Sequence, residues 1–225
     1  MIILPKKPTR PIRVILLDHL PTFRDSLRES LETENVRVVA AAGEVPGADV
    51  PQADVAVVDV DLPDGSGFEL CQALATRAPR MTVLALVNWD WDSYLVGARA
   101  AGACGILLRS RPTRALVEGI VKAAAGPIFT REQVKRMQKW DEDFGLPFRA
   151  FRPREWQVFW LAADGLNNRS IAAGLDLSEN MVEKHMTGIL DKFGLSSRSL
   201  LLTLVYNQHL DVLRGVDNNR LLTFP

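Results

Sequence analysis

Residues 152–195 read RPREWQVFWLAADGLNNRSIAAGLDLSENMVEKHMTGILDKFGL, and this stretch predicts two short helices joined by a tight turn. The first helix covers residues 168–174 and the turn covers 175–177. Ser178 suits the N-cap of the second helix, because its hydroxyl can accept a backbone N–H of the first turn. Glu179 then favours the positive end of the helix dipole. The stretch therefore predicts a helix-turn-helix, which places its second helix in the major groove of DNA.

The second helix of this pair has one apolar and one polar face. Apolar residues recur along it at the spacing of one buried stripe: Val182, Met186, Ile189 and Phe193. Polar or small residues lie on the opposite face: Glu183, Lys184, Thr187 and Gly188. Such a helix fits the major groove when its apolar stripe is covered by the rest of the domain.

Composition predicts an ordinary globular protein of about two domains. The chain has 225 residues, a formal net charge of zero and 47% hydrophobic residues. It has no apolar run of about 18 residues, and Pro5 interrupts the short apolar N-terminus, so we expect neither a membrane helix nor a signal peptide. Cys71 and Cys104 are far apart and predict two reduced thiols. A cytoplasmic location is expected.

The N-terminal half alternates short apolar runs with helical segments. The predicted strands cover residues 14–17, 36–40, 55–58, 82–87 and 105–108. The predicted helices cover residues 21–31, 68–77, 91–101 and 112–125. This alternation indicates a parallel sheet covered on both faces. Asp18 follows the first strand and Asp59 ends the third, so both carboxylates are expected at the carboxyl edge, where such sheets have their working site.

Residues 40–53 contain Gly43, Pro46, Gly47 and Pro51, where a regular alternation would place another helix. Four breakers leave no room for one. The segment is therefore predicted to be a loop or a single turn. Part of one sheet face then needs cover from a partner, a ligand or the stiff loop itself.

Two motif sets in this chain resemble known families. Pro153-Arg154-Glu155, Leu177-Ser178-Glu179 and Lys192-Phe193-Gly194 belong to a spaced pattern that is similar to the LuxR/NarL/FixJ DNA-binding domain. Residues 54–67, DVAVVDVDLPDGSG, and 101–108, AGACGILL, resemble the receiver domain of two-component response regulators. The resemblance implies a flavodoxin-like α/β receiver with strand order 2-1-3-4-5, followed by an all-α helix-turn-helix domain.

The predicted organisation has five parts. An N-terminal extension covers residues 1–11 and a receiver-like domain covers 12–126. A linker covers 127–147, with a helix at 130–140 and a loop at 141–147. The DNA-binding domain covers 148–210 and a tail covers 211–225. Trp140 and Phe144 are expected to dock on one of the two domains, and the sequence leaves open which.

The receiver resemblance places Asp59 at the phospho-acceptor position, but three other positions depart from the family pattern. The family has two adjacent acids after the first strand, whereas Asp18 is followed by His19; a shift of register by one still leaves one acid missing. Val87 replaces the expected hydroxyl residue and Arg109 replaces the expected lysine. Because imidazole is a poor ligand for Mg²⁺, no cofactor is expected and Mg²⁺ binding should be weak or absent. We expect poor phosphorylation, with Asp59 paired to Arg109 or His19.

The helix-turn-helix resemblance implies double-stranded DNA as the partner. The candidates for base or groove contact are Glu183, Lys184 and Thr187, and those for phosphate contact are Asn168, Arg169 and Lys192. His185 either contacts the DNA backbone or packs within the domain. Residues 148–210 hold seven basic and six acidic residues, so a monomer should bind DNA weakly. We therefore expect a homodimer, formed through the final helix at 199–210 or, as the receiver resemblance implies, through the face of the last two receiver helices (91–101 and 112–125) and the fifth strand.

An aromatic cluster follows the fourth predicted strand. Trp89, Trp91 and Tyr94 lie where receivers usually have small or acidic residues. The cluster predicts an interface or a ligand lid, because such rings often anchor contacts. The alternative is a loop whose rings cover the altered receiver site.

Together these features predict a sequence-specific transcription regulator, an atypical response regulator controlled by a small ligand, a partner regulator or abundance rather than by phosphate. One alternative is a conventional two-component regulator that is phosphorylated on Asp59. Another is an interaction module that has lost DNA binding and titrates another regulator. An enzyme is not expected, because the three histidines and two cysteines form no recognisable catalytic or metal-binding spacing.

Overall fold

The computed structural model describes residues 10–32, 35–43 and 51–216. The chain forms two compact units. The first contains the residues up to Asp90 together with Gly97–Thr130, and the second contains Trp91–Val96 and Arg131–Arg214. Within the described ranges, no helix is both long and apolar enough to cross a membrane.

The first unit is built on a five-stranded parallel sheet. Its strands are β1 (Ile12–Leu17), β2 (Val36–Ala42), β3 (Val55–Asp59), β4 (Thr82–Val87) and β5 (Ile106–Leu108). Their spatial order is β2-β1-β3-β4-β5, and every neighbouring pair is parallel. Every residue of β3 is buried, as expected for a central strand covered on both faces. The predicted sheet and its strand order are confirmed.

Helices α1 (Pro21–Glu32), α2 (Gly67–Arg77) and α4 (Thr113–Ala123) accompany this sheet. Helix α3 (Asp92–Ala100) is divided between the two units, and its residues from Gly97 onward belong to the first. Leu27 and Leu31 of α1 and Ile120 of α4 pack into one core with the apolar residues of β1 and β3. The predicted loss of a helix between β2 and β3 falls mostly on residues 44–50, which lie outside the described part of the chain. The flanking residues 43 and 51–54 are not helical.

The second unit is helical. Its elements are α5 (Arg131–Trp140), a π-helical turn (Asp141–Gly145), α6 (Leu146–Arg149), α7 (Pro153–Ala163), α8 (Asn168–Leu175), α9 (Glu179–Phe193), α10 (Arg198–Asn207) and a 3₁₀ segment (Leu210–Gly215). The predicted helix-turn-helix corresponds to α8 and α9. The combination of a parallel-sheet receiver with a helical domain is confirmed.

The predicted loop at residues 141–147 is wrong, because the chain stays helical through it. Arg149 forms an ion pair with Asp141 across this segment, with 2.5 Å between NH1 and Oδ1. Pro147 lies in the first turn of α6, directly after the π-helical turn. Gly145 also adopts an ordinary helical conformation, so neither residue acts as a breaker here.

Aromatic packing joins this helical segment to the rest of the second unit. The ring of Trp140 stacks on Phe148 with centroids 5.9 Å apart, and Phe148 stacks on Trp156 at 5.2 Å. Phe148 also meets the rings of Phe159 and Phe193 edge-on. The question that the sequence left open is therefore answered: Trp140 docks on the helical unit.

Candidate functional sites

Four polar side chains meet at the carboxyl ends of β1, β3 and β5. Asp59 is fully buried and Asp18 is 3% exposed. The guanidinium of Arg109 lies between them, with NH1 2.7 Å from Oδ2 of Asp18 and NH2 2.9 Å from Oδ2 of Asp59. Nδ1 of His19 lies 2.6 Å from that same Asp59 oxygen. We call these four residues the acidic pocket.

The second oxygen of each carboxylate in the acidic pocket accepts a backbone N–H. Oδ1 of Asp59 accepts the backbone N–H of Asp61 at 3.1 Å, and Oδ1 of Asp18 accepts that of Leu20 at 2.7 Å. The two contacts from Arg109 to the carboxylates are close ion pairs whose angles fall outside hydrogen-bond geometry. Both Asp59 oxygens are thus in contact with donors of the chain.

Backbone pairing and side-chain contacts together orient Arg109. Its backbone N–H donates to the carbonyl of Val87 at 2.8 Å, which ties the end of β5 to the end of β4. Its Nε donates to Oδ1 of Asn88 at 3.0 Å, and its guanidinium lies 4.4 Å from the centre of the Phe23 ring. Val87 is fully buried and offers only methyl groups to this edge. Packing on one face and ion pairs on the other therefore hold Arg109 in place.

The acidic pocket contains side chains that can bind a metal ion, but it also contains the Arg109 cation. One ligand atom each from Asp18, His19 and Asp59 lies within 4.8 Å of the others. Mg²⁺ requires a nearly octahedral shell of oxygen ligands and usually keeps several waters. Here one donor is an imidazole, and the Arg109 cation already contacts both carboxylates. These side chains do not fit Mg²⁺.

Local capping and packing define the second candidate site, helix α9. The Ser178 hydroxyl accepts the backbone N–H of Met181, as predicted for an N-cap. Asp176 takes the left-handed conformation with φ 54° and ends α8 at the turn. Val182, Met186 and Ile189 are buried, which confirms most of the predicted apolar stripe. The helix therefore presents its other face outward.

A buried carboxylate fixes α9 against α7. Oε2 of Glu155 accepts the backbone N–H of Arg152 at 2.6 Å, and Oε1 lies 2.5 Å from Nζ of Lys192. Burial is the largest single effect on the pKa of Glu155 and raises it, but the hydrogen bonds from Lys192 and from the Arg152 backbone, together with the charges of these two residues, lower that pKa overall. Gly188, predicted on the outer face, is half-buried beside this carboxylate. This contact spans 37 residues of sequence.

The predicted DNA-contact residues differ in how far they are exposed. Glu183, Lys184 and Thr187 are exposed on α9, and His185 is half-buried. Arg169 is 88% exposed, with Nε 4.0 Å from Oε1 of Glu179. The structure gathers the three α9 residues on one surface.

The other two predicted phosphate contacts have partners within the domain. Lys192 is turned toward Glu155, and Oδ1 of Asn168 lies 3.4 Å from NH1 of Arg198. Sequence reasoning assigned no role to Arg198, whose guanidinium donates to the carbonyls of Ala162 and Leu166. Those acceptors are carbonyls with no sequence signal, so only the fold could reveal this contact.

The three rings of the predicted aromatic cluster do not share one surface. Trp89 is 57% exposed, whereas Tyr94 is 3% exposed. Within the second unit, the Trp91 ring stacks on His209 with centroids 3.4 Å apart and on Tyr94 at 5.5 Å. Of the three, Trp89 is therefore the ring that faces outward.

Comparison with known proteins agrees with both halves of this architecture. Residues 14–120 match the response regulator receiver domain, and residues 150–205 match the luxR family of bacterial regulatory proteins. The nitrate/nitrite response regulator protein NarP of Escherichia coli is 30% identical over 196 residues, covering 84% of this chain and 91% of that protein. The DNA-binding transcriptional activator DevR/DosR of Mycobacterium tuberculosis is 31% identical over 200 residues, with the same two coverages.

A solved structure gives the same fold. RcsB from Salmonella enterica serovar Typhimurium, bound to promoter rprA with the phosphomimetic BeF3⁻, superposes with a TM-score of 0.53. It is 22% identical and covers 88% of this chain and 99% of that chain. Its likeness supports the fold, while the two curated relatives establish the family. This chain therefore belongs to the NarL/FixJ-type two-component response regulators, transcription regulators rather than enzymes, in which a receiver domain precedes a LuxR-type DNA-binding domain.

Proposed function

We propose that this protein is a homodimeric, sequence-specific DNA-binding regulator whose receiver does not switch by phosphorylation of Asp59. A small ligand, a partner protein or the abundance of the chain controls it instead. The observation that carries this proposal is the environment of Asp59, whose Oδ2 contacts both Arg109 and His19.

Phosphorylation of an aspartate depends almost wholly on positioning and electrostatics. An incoming phosphoryl group would need Oδ2 or Oδ1 of Asp59 as its nucleophile, and both oxygens already contact donors. A phosphorylated Asp59 would also find a methyl-bearing Val87 in place of a hydroxyl donor. The pocket thus supplies neither the Mg²⁺ site nor the hydroxyl that would stabilise the transferred group.

Dimeric DNA binding is supported by the helical unit. The exposed face of α10 carries Leu200, which is 46% exposed, and Tyr206, which is 77% exposed. Exposed apolar side chains on one helix suit a two-fold contact with a second copy. Two copies would double the number of phosphate contacts, which matters because the domain has little excess positive charge.

The test combines DNA selection with a phosphorylation assay. Protein that was never exposed to a phosphodonor is used to select bound sequences from random DNA, and a two-fold symmetric motif is expected. The same preparation is incubated with acetyl phosphate and Mg²⁺, and its intact mass is measured. We expect no phosphoryl adduct and no change in affinity for the selected site.

A variant that carries the family's usual residues at the altered receiver positions is the positive control, because it shows that the phosphodonor is active. His19→Asp, Val87→Thr and Arg109→Lys together return the family pattern, and this variant should gain an Mg²⁺-dependent adduct that Asp59→Asn removes. A stoichiometric adduct on the unaltered chain, with tighter dimerisation or DNA binding, would instead establish a conventional phospho-switch. Selection of no motif from random DNA would contradict constitutive binding.

A further inference from the structure

Helix α9 carries a second stripe at regular helical spacing, on the side away from its buried stripe. Asn180, Lys184, Thr187 and Asp191 follow one another at i, i+4, i+7 and i+11, and all four are exposed. The buried residues Val182, Met186 and Ile189 begin two positions later, about 200° around the helix. We call the four exposed residues the outer stripe.

The contacts of α9 with the rest of its domain leave the outer stripe open. On one flank, Gly188 and Lys192 lie against Glu155 at the start of α7. Opposite the outer stripe, Val182, Met186 and Ile189 are buried. The other flank is largely exposed, since the side chains of Glu179 and Arg169 there are 63% and 88% exposed. The outer stripe therefore lies on a side of α9 that DNA can approach.

The charges along the outer stripe favour its N-terminal half for base contact. Asp191 lies near the C-terminal end, where its carboxylate would repel phosphates, whereas Lys184 lies one turn from the start. In helix-turn-helix proteins it is also the N-terminal residues of this helix that reach base edges. Asn180, at the second position of α9, is thus in the part of the stripe that enters deepest.

We propose that Asn180 is a specificity-determining residue that reads an adenine in the operator through its side-chain amide. An asparagine amide is complementary to the major-groove edge of adenine: its NH₂ donates to N7, and its oxygen accepts from the N6 amino group. Lys184 and Thr187 then contact neighbouring base pairs along the same stripe. This assignment rests on the DNA-binding function proposed above, and it names the base that Asn180 recognises.

The experiment compares the motifs that the unaltered chain and Asn180→Ala select from random DNA. We expect one A·T position in each half-site to lose its preference, with discrimination falling from roughly 10- to 100-fold to near unity. Gln138→Ala removes an exposed side-chain amide on α5, and this control should leave every position of the motif unchanged. Thermal midpoints of all three proteins exclude unfolding as the cause.

A chemical probe then identifies the base atom. Adenine at the affected position is replaced by 7-deazaadenine, which lacks the N7 acceptor. The replacement should weaken binding of the unaltered chain and leave Asn180→Ala unaffected. If the unaltered chain selects a motif that Asn180→Ala reproduces at every position, the assignment is overturned while the proposed function stands. If the unaltered chain selects no motif, both are overturned.

Discussion

NH2 of Arg109 lies 2.9 Å from Oδ2 of Asp59, so the position that aligns with the family's phospho-acceptor is already paired with a fixed cation. Asp18 contacts the same guanidinium through NH1 at 2.7 Å. One arginine thus contacts two buried carboxylates, and the stability of the first unit should depend on it.

Replacement of Arg109 by alanine should lower the free energy of unfolding by about 3–5 kcal/mol, because it leaves Asp18 and Asp59 buried without their cation. Urea unfolding measures this loss. Arg114→Ala is the control: its ion pair with Glu118 is largely exposed, and its removal should change stability by no more than about 0.5 kcal/mol. The double variant Arg109→Ala, Asp59→Asn should be more stable than Arg109→Ala alone. Equal losses in the two variants would contradict a charge-balancing role.

Added Mn²⁺ should raise the thermal midpoint of Arg109→Ala and leave that of the unaltered chain unchanged. Without the guanidinium, Asp18, His19 and Asp59 present oxygen and nitrogen ligands to an ion of suitable charge. A thermal scan with and without the ion is sufficient, and His19→Ala in the same background should abolish the gain. A rise in the unaltered chain would show that Arg109 yields its place to a metal.

The Glu155–Lys192 pair should give the helical unit a defined acid sensitivity. Its lowered pKa means that this carboxylate contributes stability above its unfolded pKa of about 4.3, and that the contribution is lost as pH falls through the lower folded pKa. Urea unfolding between neutral and acid pH should therefore show a smaller pH dependence in Glu155→Gln than in the unaltered chain. Asp191→Asn, which removes an exposed acid beside Lys192 on α9, is the control. Identical profiles in all three proteins would contradict this role of Glu155.

Arg169→Ala should weaken DNA binding to all sequences alike and lower the slope of log affinity against log salt by about 1. The reason is that Arg169, near the start of α8, is 88% exposed and suits a phosphate contact. Titrations at several salt concentrations measure the slope. Arg114→Ala, in the first unit, should not alter it. A change in base preference would argue instead for a base contact.

Tyr206→Ser should weaken the homodimer by roughly 10- to 30-fold, since buried aromatic anchors carry much of the energy of such contacts. Sedimentation equilibrium gives the dissociation constant directly. Leu146→Ser is the matched control, because Leu146 is 67% exposed but lies on α6 rather than α10. An unchanged constant for Tyr206→Ser would direct attention to the receiver face for dimerisation.

The sequence predicted the fold well, because apolar residues recur along the chain with the periodicity of the strands and helices that they form. Asp18 and Asp59 each end an apolar run, and parallel strands bring such ends together. The partners of Arg109 could not be predicted in the same way, because its contacts with Asn88 and Phe23 depend on rotamers and on packing between distant segments.

In the linker, local propensity predicted a break in the helix that the structure does not have. Gly145 and Pro147 are breakers by propensity, yet the Asp141–Arg149 ion pair and the stacked Trp140 and Phe148 rings keep the backbone helical. Tertiary contacts thus outweighed local preference. Lys192 presents a similar case. Its partner Glu155 is distant in sequence, so only the fold reveals that the ammonium is engaged within the domain.

A divalent ion in equilibrium with its surroundings leaves and returns, and chelators or competing ions can remove it. Arg109 is tethered by the backbone, so its effective concentration at the two carboxylates is set by chain geometry rather than by the ionic composition of the cell. The electrostatic state of this pocket is consequently established when the polypeptide folds and persists as long as the fold does.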